Sequence, residues 1–185
     1  MLYRVFVAVD ITDSNIKNVI LNIQQELSKL GIDAKPVEPE NLHITLRFIG
    51  EVHETIVNEI INRLKTVKYG KFKMRLKGLG AFPSIGNPRV VWIGVEEGSK
   101  ELKELHEIVE KLVGKFGIKD EKEFTPHLTF ARIKSNRNIN LLKKYLTEHQ
   151  DLDLGYQEVD SIKLKRSILT PKGPIYSDLL EVKLE

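Results

Sequence analysis

The stretch NLHITLRFIG, Asn41 to Gly50, reads as a strand with two chemically different faces. In a β-strand, residues i and i+2 share a face and lie roughly 7 Å apart. His43 and Thr45 therefore project together, while Leu42, Ile44, Leu46 and Phe48 point the other way. The stretch TPHLTFARI, Thr125 to Ile133, repeats the arrangement, with His127 and Thr129 on one face and Leu128 and Phe130 on the other. The apolar sides would pack on helices, leaving imidazoles and hydroxyls to line an exposed groove.

A bare His-x-Thr triplet is weak evidence. Composition alone gives about 0.2 such triplets, and the chain has three. The third, His53-Glu54-Thr55, carries a charged middle residue and follows Gly50 at the head of a helical segment, so it reads as a helix cap. The other two share the pattern His-apolar-Thr-apolar inside an amphipathic strand. Taken alone, either histidine would be an ordinary surface or half-buried strand residue. Two histidines without a third, or without carboxylates at ligand spacing, also make a poor zinc site.

The surroundings of the two motifs match. Each is followed by a helix and then an alternating strand, KFKMRLKGLGAF (Lys71 to Phe82) in the first half and DSIKLKRSIL (Asp160 to Leu169) in the second. The histidines stand 84 residues apart, close to half of the 185-residue chain, so a duplicated unit is expected. Further strands are expected at Leu2 to Val9, Arg89 to Val95 and Ile175 to Leu184, and one long strand over Val159 to Leu169. Four amphipathic helices lie between them, the first on Ile16, Ile20, Ile23 and Leu27, the third running from Ser99 to Gly117. Alternating strands and helices fit a parallel α/β sheet. Strict polar/apolar alternation argues instead for sheets with one face on helices, and periodicity leaves the choice open.

Composition sets outer bounds. Cysteine is absent, which excludes a disulfide framework and a thiolate nucleophile. No apolar run reaches membrane-spanning length, and the amino-terminal run is strand-length without a basic leader, so a cytoplasmic location is expected. No linker or low-complexity tract divides residues 1–185, which are read as one domain. A net charge of +3 is compatible with an anionic partner without requiring one.

The two motifs, with FVAVD near the start, GAFPS before VVWIGV, and KRSIL followed by GPIYS, resemble the two-histidine (2H) phosphoesterases end to end, and most closely the RNA 2′,3′-cyclic phosphodiesterases also described as 2′-5′ RNA ligases. The resemblance implies a bilobed α+β fold, with two antiparallel sheets facing a central cleft, helices outside and a pseudo-twofold axis between the lobes. It implies hydrolysis of RNA 2′,3′-cyclic phosphate ends to 2′-phosphates without metal or cofactor. His43 would be the proton donor to the departing 3′ oxygen and His127 the base on water. Thr45, Thr129 and Arg132 would bind the phosphate, although strict alternation puts Arg132 on the wrong face unless a strand end or bulge intervenes.

The implied partner is an RNA ending in a cyclic phosphate, tRNA fragments among the candidates, met by a monomer. The reverse reaction, 2′-5′ ligation, and a non-catalytic RNA-binding module are the alternatives. Lys71, Lys73, Arg75, Lys77, Lys163 and Lys165 fall on the groove side of their strands, either lining it for RNA phosphates or forming a solvated lysine-rich face. Phe48, Trp92, Tyr156 and Tyr176 are candidates to stack a base, with Phe48 and Trp92 better suited to the core.

Overall fold

The computed structural model describes residues 1–119 and 122–185. Strands β1 (Leu2–Asp10), β2 (Ala34–Pro36), β3 (His43–His53), β4 (Phe72–Ser84), β5 (Asn87–Val95), β6 (His127–Ile133), β7 (Asp153–Val159), β8 (Ser161–Thr170) and β9 (Gly173–Lys183) alternate with helices α1 (Ser14–Lys29), α2 (Glu54–Leu64), α3 (Ser99–Val113) and α4 (Ile139–Glu148). Every pairing among the described residues is antiparallel. The strand order is β7-β4-β5-β6-β3-β1-β8-β9, and β2 pairs with β6 over Ala131 to Ile133, beyond the point where β3 leaves it.

Two four-stranded wings are therefore joined into one sheet at the β3–β6 seam. That seam is a single residue pair, Ile44 with Leu128. The two antiparallel sheets expected to face the cleft are these two wings, continuous with each other only at the seam, because the strands that carry the two motifs meet before they diverge.

The helices form as their apolar spacing dictates. Ile16, Ile20, Ile23 and Leu27 of α1 are buried, and the Asp13 side chain caps the helix by accepting from the Ile16 amide at 2.9 Å. Leu102, Leu105, Val109 and Val113 form the buried stripe of α3. Their partners are the inner residues of the strands, among them Val5, Val7, Ile44, Leu46, Val91, Ile93, Leu128, Phe130, Ile162 and Leu164. Each such side chain contributes roughly 1.5–3 kcal/mol by leaving water. Helices α1 and α4 back the β6 wing, whereas α2 and α3 back the β3 wing. Each wing therefore draws strands and helices from both halves of the chain.

Four differences from expectation go beyond a residue or two at an element's end. The Val159 to Leu169 run is broken at Asp160 into β7 and β8, and most of β7 is hidden in the sequence by Gly155 and its polar neighbours. Strand β2 has no signal in the sequence, because three residues ending in proline carry no period. Helix α3 stops at Val113 rather than Gly117; Phe116 is still buried, but in the following turn. Strand β3 runs on to His53, which caps α2 through Nδ1 accepting from the Thr55 amide at 3.2 Å, as the third triplet suggests.

Candidate active site

Antiparallel register fixes what the seam brings together. With Ile44 opposite Leu128, His43 comes to stand across from Thr129 and Thr45 across from His127. All four side chains leave the sheet on the face away from the helices and line one cleft of about 530 Å³. Diagonal neighbours on paired strands lie roughly 7–8 Å apart, their β-carbons somewhat closer. The two imidazoles therefore flank a space of phosphate size, one from each half of the chain.

Each ring is oriented in the same way. Nδ1 of His43 lies 2.7 Å from the Asn41 carbonyl, and Nδ1 of His127 lies 2.7 Å from the Thr125 carbonyl. A carbonyl only accepts, so each Nδ1 carries a proton and Nε2 is left for chemistry. His43 Nε2 stands 3.0 Å from the Thr45 hydroxyl. Aromatic rings hold the imidazoles in place: Phe6 and Tyr176 around His43 with centroids at 5.1 and 5.5 Å, and Phe82 edge-on to His127 at 4.9 Å. The run into His127 is anchored by Phe124, which stacks on His106 at 4.3 Å.

Burial lowers the His43 pKa from its ordinary 6.5; the Asn41 carbonyl opposes this, Lys165 adds to it, Asp10 opposes it, and Arg132 adds to it. The folded chain thus favours neutral His43, so this residue's contribution to stability falls as pH drops below about 6.5. The same depression predicts where the acidic limb of kcat/KM lies. The two apparent pKa values of a bell-shaped profile belong to the pair, and the lower cannot exceed that of the depressed group. Even with His43 as proton donor, this limb therefore falls below pH 6.5 for the free enzyme. It moves upward in kcat, where a bound phosphate anion stabilises the imidazolium. A limb above 6.5 in both profiles would contradict this assignment of the electrostatics.

A β-bulge resolves the position of Arg132. Trp92 pairs with Thr129 but Val91 pairs with Ala131, so Phe130 is the extra residue and the alternation changes phase after it. Arg132 accordingly turns into the cleft, near enough to His43 and Tyr176 to act on the charge of both. The first half carries the matching irregularity. Val7 pairs with Arg47 and Ala8 with Thr45, leaving Leu46 extra. Phe48, three residues after Thr45 as Arg132 is after Thr129, turns into the cleft, and Arg4 lies 4.7 Å over its ring. Phe48 is therefore a cleft residue and not core. Arg47 goes the other way and is buried against α3, 1% exposed.

Of the six basic residues expected either to line the groove or to form a solvated face, four hold carboxylates. Arg75 pairs with Asp153 and Glu96, and Lys77 with Glu96. Lys163 and Lys165 share Asp10 and Asp178 at 2.9–3.0 Å. Lys71 and Lys73 are exposed at the start of β4. None of the six lines the cleft. Tyr156 is also outside it, packed under Arg75, while Trp92 is half-buried over Gly80, where a β-carbon would lie 2.3 Å from the indole. Tyr176 is the one predicted stacking residue that reaches the cleft besides Phe48. Arg4 and Phe6 also line the cleft without a signal in the sequence, since the first strand reads only as apolar.

Compared with known proteins, residues 9–92 and 93–176 each match the family described as LigT-like phosphoesterase. The chain belongs to the LigT-like phosphoesterase family. The two matches are offset by the same 84 residues that separate His43 from His127, so the duplication is real. Among LigT-like relatives, a protein of Aeropyrum pernix named RNA 2′,3′-cyclic phosphodiesterase is 48% identical over 165 residues, spanning 89% of this chain and 94% of its own. Its namesake from Archaeoglobus fulgidus is 47% identical, spanning 95% and 97%. A solved structure from Thermus thermophilus superposes with a TM-score of 0.75 at 30% identity, covering 97% of each chain. Escherichia coli LigT in its apo form, at 22% identity, shares the fold with a TM-score of 0.78.

Proposed function

We propose that this chain hydrolyses RNA 2′,3′-cyclic phosphate ends to 2′-phosphates, with His43 and His127 as its acid–base pair. The observation that carries the reading is the Ile44–Leu128 pair, which sets two identically oriented imidazoles diagonally across one cleft. Relatives of near full-length coverage bearing the cyclic phosphodiesterase name support the substrate class.

Ring opening needs one proton removed from water and one delivered to the departing oxygen, on opposite sides of phosphorus. His127 takes the proton from water through Nε2 as the new P–O bond forms. The P–O3′ bond breaks, and His43 gives its Nε2 proton to O3′. The single Nε2–H of charged His43 goes to O3′ in this step, and the Thr45 hydroxyl, 3.0 Å from that nitrogen, donates its own proton to a non-bridging phosphate oxygen. Thr129 donates its hydroxyl proton to another non-bridging oxygen from the other strand, and Arg132 supplies positive charge to the phosphate. One chain furnishes both motifs, so we take the monomer as the working unit.

The test is product identity. An oligoribonucleotide ending in a 2′,3′-cyclic phosphate, incubated with excess EDTA, is expected to end in a 2′-phosphate. A 3′-phosphate would reverse the roles of the two histidines, and arrest by EDTA would remove the metal-free mechanism.

A further inference from the structure

The cleft continues past the two motifs to one end, where β2 meets the tip of the β8–β9 hairpin. Three exposed lysines gather there: Lys35 on β2, Lys134 just after β6, and Lys172 in the hairpin tip. Far apart in sequence, they are tied together by the backbone. Lys35 lies across from Arg132 in the β2–β6 pairing, and the Lys134 amide donates to the Asp33 carbonyl at 2.8 Å. The Lys35 ammonium donates to the Lys172 carbonyl at 3.2 Å, and a β-carbon on the adjacent Gly173 would come within 3.1 Å of that ammonium. The hairpin tip and Lys35 are therefore in close contact.

None of these three lysines has a carboxylate partner among the described residues. The cations on the cleft-side strands β4 and β8 behave differently: Arg75, Lys77, Lys163 and Lys165 all hold acids. Among the described residues, Glu38 is the one carboxylate that lines the cleft. Three unneutralised cations lining one end of a cleft repel one another, and a chain of phosphates removes that repulsion while releasing its own counterions.

We propose that this end of the cleft is a subsite for the phosphodiesters 5′ to the cyclic end, so that the enzyme selects polynucleotides over cyclic mononucleotides. The inference rests on the proposed reaction for the position of the RNA terminus. The three lysines lie beyond the reacting phosphate and act only on a substrate long enough to reach them.

The experiment compares an oligoribonucleotide ending in a 2′,3′-cyclic phosphate with a 2′,3′-cyclic mononucleotide, for the wild type and for the triple variant Lys35→Glu, Lys134→Glu, Lys172→Glu. Three phosphate contacts on a single strand give a log–log salt slope of about −2, a roughly 20-fold fall in kcat/KM between about 50 and 200 mM salt. The variant is expected to keep the mononucleotide rate, which also reports an intact fold. On the oligomer it should lose on the order of tenfold or more, and its salt slope should fall to that of the mononucleotide. Equal loss on both substrates, or an unchanged oligomer rate and slope, overturns the subsite. Fluorescence anisotropy with an oligoribonucleotide ending in a 3′-phosphate provides an arm free of turnover. Binding that weakens and flattens in the variant supports the subsite even if the wild type hydrolyses nothing, an outcome that would sink the proposed reaction alone. Binding unchanged in the variant overturns the subsite whatever the hydrolysis shows.

Discussion

Alanine at either His43 or His127 is expected to lower kcat on an RNA 2′,3′-cyclic phosphate by about 10²- to 10⁴-fold. The two imidazoles serve one displacement: the proton leaving water and the proton reaching O3′ are both required for the same bond change. Groups that act as a unit are not additive, so the double variant should be little slower than the worse single one. The fold survives these changes, because both rings sit half-exposed on the cleft face and the core behind them is Ile44, Leu46, Leu128 and Phe130. Steady-state kinetics with circular dichroism as control checks this. Full activity in both single variants would remove these residues from the chemistry.

The second large effect is on stability. Arg47→Met should cost about 3 kcal/mol, at the lower end of the range for breaking a buried charged pair because Glu110 can turn to water. Arg47 donates to the carbonyls of Phe48 at 3.0 Å, Gly114 at 3.2 Å and Ile118 at 2.7 Å. Its Nε lies 2.7 Å from the Glu110 carboxylate, a charge contact without hydrogen-bond alignment, and Glu110 is 39% exposed. Gly114 caps the carboxyl end of α3, where unpaired carbonyls and the helix dipole both favour a cation. Methionine keeps the buried stem and strands those carbonyls. A midpoint lowered by about 10 °C in thermal unfolding is the expected reading, and a shift of less than about 2 °C would mean that the guanidinium is dispensable.

How much of this is legible beforehand follows from the period of the backbone. His43, Thr45, His127 and Thr129 are readable because i and i+2 share a strand face, and the duplication is readable from motif, helix and alternating strand recurring in order. The bulges at Leu46 and Phe130 are not readable in that way. One extra residue in a ladder is set by pairing to a distant strand and leaves no mark on local composition. This is why Phe48 and Arg47 exchange faces relative to expectation. Arg132 fares better only because its expected role already demands a bulge. Charge is the least legible property: that Lys163 and Lys165 spend their charge on Asp10 and Asp178 depends on β1 and β9 lying on either side of β8.

The central claim is that His43 protonates the leaving oxygen while His127 activates water. It is tested most directly with RNA whose terminal 2′,3′-cyclic phosphate carries sulfur in place of the bridging 3′ oxygen. Thiolate leaves without a proton, so His43→Ala is predicted to regain most of its lost rate on this substrate while His127→Ala stays impaired. Equal impairment of the two variants, or rescue of His127→Ala alone, would contradict that claim.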